Sequence, residues 1–334
     1  KATATCAAAA LVGVSLNLSN LYHTWEYSKE SMRGKSELVK KNSANQTNSG
    51  LDRDYITQWS YGVDETLTLL IPNAKGGASV PMVMSETAME HADNNYLPLY
   101  QQIGQYWGEQ PGTSGPVYVG AFVMFLFVLG LFIVKGPLKW ALLAATILSV
   151  LLSWGRNFMP FTDFFIDYVP MYAKFRTVAS ILVIAEFTIP LLAMLALKQI
   201  AERRELLTEK IKFVYVSLAL TAGPCLLFLF FPGMFDYVSS SEMHALSQFP
   251  ADQLQPLLHN LTEMREAVFT ADCRRSLFII IIGVFVLLLF KAGKLKTAPM
   301  AAILFVLCLG DLWIVNKRYL NDDMFVDKTQ RDQP

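Results

Sequence analysis

Five ionisable side chains crowd one short stretch, SWGRNFMPFTDFFIDYVPMYAKFRTVAS: Arg156, Asp163, Asp167, Lys174 and Arg176. Their types suit a group transfer. A carboxylate can take the proton of an attacking hydroxyl, while guanidinium and ammonium groups can hold a phosphate leaving group. Tyr168 and Tyr172 add flat faces of the kind that stack on a sugar ring. Asp163 and Asp167 stand four residues apart, so a helix would place both carboxylates on one face. Pro160 and Pro170 bracket such a short helix. The same residues also fit an interfacial aromatic belt with snorkelling cations and surface ion pairs.

A second group lies in SGLDRDYITQWSYGVDETLTLLIPN, where Asp52, Asp54, Asp64 and Glu65 alternate with Tyr55, Trp59 and Tyr61. That pattern resembles a carbohydrate-facing surface, and a solvated loop around a small aromatic core has the same pattern. A third group is intramembrane: Asp311 in VLCLGDLWIVNKRYL and Glu186 in another apolar run. Ionisable groups at membrane depth mark substrate or proton sites, or buried interhelical hydrogen bonds. The chain has no Walker loop, dinucleotide fingerprint or nucleophile elbow. Lys75–Gly77 (KGG) reads as a turn. His23, His91, His244 and His259 are scattered, and the four cysteines have no disulfide or metal spacing. No cofactor is therefore assigned, and a divalent metal has no ligand cluster to support it.

These residues need a membrane scaffold to position them. The chain is 53% hydrophobic and 17% charged, against about 25% charged in soluble domains. Its zero net charge gives no electrostatic footprint for nucleic acid. Apolar runs predict an all-α membrane protein of about seven transmembrane helices: Ala2–Leu18, Val117–Val134, Leu138–Trp154, Thr177–Leu197, Phe213–Phe231, Ser276–Phe290 and Ala298–Val315. Lys135 and Lys139, the Lys198–Lys212 cluster, and Lys291, Lys294 and Lys296 put three short connections on the cytoplasmic side. Arg274, Arg275, Lys317 and Arg318 are exceptions at the other end. The opposite side receives a long mixed loop domain (19–116), outer loops 155–176 and 232–275, and a tail from 317 to 334. Lys40–Gly50 (KKNSANQTNSG) reads as a flexible turn. Leu254, Leu257, Leu258, Leu261, Met264 and Val268 form the apolar stripe of an amphipathic helix. No internal repeat is visible, which disfavours an inverted-repeat transporter.

Four blocks in order, SNLYHTWEYSKESMRGKSEL, DYITQWSYGVDETLTLLIPNAKGGAS, RNFMPFTDFFIDYVPMYAKFRT and DLWIVNKRYLNDD, resemble the YfhO family of bacterial polytopic membrane proteins, in the version common in Bacteroidota. The resemblance runs over nearly the whole chain. It implies a GT-C-like fold in the bacterial cytoplasmic (inner) membrane. The implied activity is transfer of a sugar from a polyprenyl-phosphate donor to a cell-envelope glycan or glycolipid, on the outer face and among membrane lipids. Family proteins are longer, so this chain is expected to be an interior portion. The acidic catalytic residue usual in such enzymes maps onto no position here. Asp163 and Asp167 stand as candidates for the base. Arg156, Lys174 and Arg176 are candidates for the donor phosphate, the last two within YAKFRT, which is similar to a recurring family feature. Asp52, Asp54, Tyr55, Trp59, Glu65, Tyr168 and Tyr172 would face sugar or acceptor. The alternative is a polytopic transporter or lipid-handling protein in which Glu186 and Asp311 line the pathway.

Overall fold

The computed structural model describes residues 2–31, 45–47, 51–322 and 325. Most of the expected Lys40–Gly50 turn, and the tail beyond residue 322 apart from Phe325, lie outside them. All regular elements among the described residues are helical, and strand pairing is limited to one isolated bridge, Pro81 to Gly104. The chain divides into two compact units: Lys1–Ser60 with Gly155–Ala179, and Tyr61–Trp154 with Ser180–Pro334.

In the first unit, the expected span Ala2–Leu18 is shorter. A helix covers Ala2–Leu16, and the chain bends by 67° into a second helix, Leu18–Lys29. The other part gathers Arg53–Ile56 and Met159–Tyr168 around Leu51, Ile56, Ile166 and Ala173, with Tyr55, Tyr172 and Val178 packed on them. Met159–Tyr168 begins beside Pro160 and ends before Pro170 because a residue preceding proline is driven to extended backbone; Val169 has φ −92° and ψ 117°. Two backbone bonds join the segments, Leu51 N–H to the Ala173 carbonyl (2.9 Å) and Ala179 N–H to the Trp59 carbonyl (3.1 Å). Gly155 (φ 44°) makes the closest approach: a Cβ there would run into the Ser60 side chain, whose hydroxyl accepts the Arg156 N–H at 2.9 Å.

The second unit holds the membrane-type helices Ala121–Ile133, Leu138–Ser153, Val183–Glu202, Ile211–Phe230, Ala251–Lys291 and Thr297–Lys317. Across the described residues four helices are long and apolar enough to cross a membrane, or six if each of two bent pairs is one span. This is the pattern of a multi-pass membrane protein, with fewer clear spans than the seven expected. The run Val117–Val134 accounts for part of the difference. Only Ala121–Ile133 is helical, about 20 Å at 1.5 Å per residue against a hydrocarbon core of about 30 Å. This shortest helix is the hub, packing on the other five through Phe122, Phe125, Leu126, Leu129 and Ile133. Small residues let its neighbours close in. A Cβ on Gly283 would collide with the Phe122 ring, and one on Gly130 would meet Leu192 at 3.0 Å.

The second correction concerns the outer loop 232–275 and the span Ser276–Phe290. Ala251–Lys291 is one helix of 41 residues, so the loop's second half and the span are continuous. No glycine or proline falls between Leu257 and Ile282 to stop it. Its N-terminal half carries the apolar stripe, which packs on Met82, Ala88, Tyr100 and Leu246. The three basic connections meet at one end. Arg204 donates to the Leu295 carbonyl (3.3 Å), and the rings of Phe132 and Phe213 stack at 4.8 Å.

Candidate functional site

The first unit brings together residues from both sequence groups. Arg53 reaches both carboxylates expected to act as bases, Nη1 to Asp163 (3.0 Å) and Nη2 to Asp167 (2.7 Å). The helix Met159–Tyr168 supplies the common face. Asp163 and Asp167 side chains are 42% and 36% exposed, so each pair contributes about 0.2–1 kcal/mol. That is too little for the bridge to be a major support of the fold, and small enough for a bound group to displace. Arg176 donates to the Tyr55 hydroxyl at 2.5 Å and lies over the same ring, 5.0 Å from its centroid.

Residues Met171 (φ 72°) and Thr177 (φ 68°) hold left-handed backbone on either side of the Tyr172–Lys174 turn. Side chains with a Cβ take that conformation at a cost of about 1–3 kcal/mol, and such strain clusters at functional sites. Lys174 is half-buried and closes the turn, while the Arg156 side chain is exposed. Asp52 precedes Arg53–Ile56 in extended conformation. The backbone N–H of exposed Asp54 donates to the Asn45 side-chain oxygen, at 2.9 Å. The Tyr168 ring is 74% exposed. The hydroxyl of Tyr172 and the indole N–H of Trp59 are buried without a hydrogen-bond partner. Burial pushes the Tyr172 phenol up to about 12.

Glu65, expected to face the sugar or acceptor, belongs to the second unit and is buried. Gly62 N–H donates to one of its oxygens (2.9 Å), and the Tyr106 hydroxyl (2.7 Å) and Gln110 side-chain amide (3.1 Å) donate to the other. It fastens the loop 62–110 instead of presenting a carboxylate to solvent. Burial raises its pKa above 4.5, against the lowering effect of these donors. A carboxyl whose folded pKa is raised stabilises the fold fully below the unfolded value and loses that contribution as pH rises through the folded value. The protection of amides 62–110 against hydrogen exchange, taken relative to the unfolded chain at each pH, is therefore expected to fall above about pH 4.5. Glu65→Gln should flatten this dependence.

Of the two intramembrane candidates, Glu186 sits exposed in the first turn of Val183–Glu202, within the candidate span Val178–Glu202. Asp311 is buried. It is ion-paired to Arg275, accepts the Tyr118 hydroxyl (2.8 Å to one oxygen) and takes the Ala121 N–H at 3.1 Å. A second pair lies in the same unit. Arg318 donates from both terminal nitrogens to buried Asp272, 2.7 Å each. Asp272 also accepts Asn73 N–H (3.0 Å), and Tyr319 donates to the Asn73 side chain (3.1 Å). The expected turn at Lys75–Gly77 is wholly buried. Lys75 bonds Asp64 at 2.5 Å and the Asp236 carbonyl at 3.1 Å. Asp272, Arg275, Arg318 and Lys75 were not singled out from the sequence for chemistry. The signal was the anomaly itself: Arg275 and Arg318 broke the charge rule for loop sidedness, and each is neutralised by an aspartate.

Among the described residues no group of three or more His, Cys, Asp or Glu side chains is placed to hold a metal ion. No family model, curated protein or solved structure matches the chain.

Proposed function

We propose that this chain is the membrane portion of a GT-C-like glycosyltransferase of the YfhO type, in the bacterial cytoplasmic membrane. It transfers a sugar from a polyprenyl-phosphate donor to a cell-envelope glycan or glycolipid on the outer face. The observation that carries the reading is the Arg53–Asp163–Asp167 bridge beside the Arg176–Tyr55 contact in one compact unit. Carboxylates, guanidinium groups and aromatic faces are the three chemistries a transfer from a lipid phosphate needs. In this reading Asp163 or Asp167 takes the acceptor proton. Arg176, with Lys174 and Arg156, receives the departing phosphate, and Tyr55, Tyr168 and Tyr172 face the sugar. The weak exposed ion pairs let substrate groups replace Arg53 at small cost.

The transporter alternative has less behind it. Asp311 is engaged by Arg275, and Glu186 is exposed, with no ion pair among the described residues. The test is transfer of labelled sugar from polyprenyl-phosphate donors by purified full-length protein. Asp163→Asn, Asp167→Asn and Arg176→Ala are compared with the parent, and at least one carboxylate variant is expected to lose about 100-fold or more in rate.

A further inference from the structure

The second unit contains a cavity of about 550 Å³, within the size range of about 300–1,000 Å³ typical of small-ligand sites. One wall is a single face of the long helix: Glu263, Glu266, Ala267, Thr270 and Arg274 follow at three- and four-residue steps. Glu90 and His91 also line the cavity, with Leu229, near the end of Ile211–Phe230, and Pro232, just beyond that helix. The lining thus grades from a carboxylate-rich wall to an apolar lip. Phe230 and Phe231, beside that lip, are 71% and 59% exposed, as ring side chains are at a membrane interface.

Charge placement narrows the ligand. Glu266 and Arg274 are two turns apart, about 12 Å along the axis, and their charged ends make no hydrogen bond or ion pair with each other or with another residue. Glu90 is in the same state, whereas Glu263 accepts from Asn260 (3.3 Å) and lies 3.5 Å from His259. A ligand that satisfies both ends of the wall carries an anion at Arg274 and a cation at Glu266 and Glu90, joined by a short bridge. The cation is a hydrogen-bond donor, because the lining contains no Phe, Tyr or Trp from which a cage for a quaternary ammonium is built. An ammonium donates directly to carboxylates. A purely anionic headgroup meets three carboxylates. The apolar lip supplies a place for acyl chains.

We propose that this cavity binds the headgroup of a zwitterionic aminophospholipid, with phosphate on Arg274 and primary ammonium on Glu266 and Glu90. It shares no residue with the transfer site and does not depend on that reading. The test is a titration of the purified chain in detergent micelles with dihexanoyl phosphatidylethanolamine, the matching phosphatidylcholine and phosphatidylglycerol, and free O-phosphoethanolamine. Binding is read by native mass spectrometry and by the shift in melting temperature. The ethanolamine lipid should bind at least tenfold more tightly than the other three. Arg274→Gln and Glu266→Gln should each weaken it at least tenfold while leaving the lipid-free melting temperature unchanged. Equal binding of the choline or glycerol lipid, or of the ethanolamine lipid to both variants, would overturn the proposal. Equal binding of free O-phosphoethanolamine would overturn the lipid assignment, and no binding would remove the site. A variant that melts early leaves the comparison of the four ligands on the parent chain to decide.

Discussion

Glu242→Leu is expected to destabilise the second unit by about 3–5 kcal/mol, because it strands a buried guanidinium. Arg265 has no exposed side-chain surface and is held bidentately by Glu242 at 2.5 and 2.7 Å. It also donates to the carbonyls of Tyr237 (2.7 Å) and Gly104 (2.8 Å) and lies over the Trp107 ring. Removing the one countercharge leaves a cation that neither water nor a carboxylate can satisfy. The double variant Glu242→Leu, Arg265→Met should recover part of the loss, since an apolar pair replaces a buried ion pair with little penalty. Recovery stays incomplete because the two carbonyls lose their donors. Denaturant unfolding of the two variants in mixed micelles checks both statements. A single variant as stable as the parent would show that Arg265 finds another partner.

The second large effect is expected at Asp311. Asp311→Asn leaves Arg275 without its countercharge, and a loss of about 3–5 kcal/mol is expected. Denaturant unfolding in mixed micelles checks this loss. The double variant Asp311→Asn, Arg275→Gln should recover part of it, because the buried ion pair is then removed whole instead of being left half-made. A single variant as stable as the parent would show that Arg275 finds another partner.

What the sequence discloses follows the range of the interactions. The helix Met159–Tyr168 is set by prolines, whose effect is local: Pro160 stands in its first turn and Pro170 follows its end, close to the bounds read from the sequence. The stripe Leu254–Val268 is periodic and helical as read, and its face packs on the protein. Arg53 was passed over because its partners stand 110 and 114 residues away, and nothing in LDRDY announces them. Glu65 was grouped with exposed carboxylates because alternation with aromatics looks alike on a surface and inside a clamp. Only Tyr106 and Gln110, 41 and 45 residues on, distinguish the two. Lys75–Gly77 read as a turn and has a turn's backbone, with φ 81° at Gly76 and 79° at Gly77. What surrounds it comes from elsewhere in the chain: Asp64 pairs with Lys75, and the Tyr319 side chain lies against Gly77.

The measurement that bears most directly on the proposed function is sugar transfer from a polyprenyl-phosphate donor by the full-length protein, with Asp163→Asn and Asp167→Asn beside Arg176→Ala. The account predicts transfer by the parent, loss of rate in at least one carboxylate variant, and weaker use of donor in Arg176→Ala. Undiminished transfer in all three variants, or none by the parent, would contradict it.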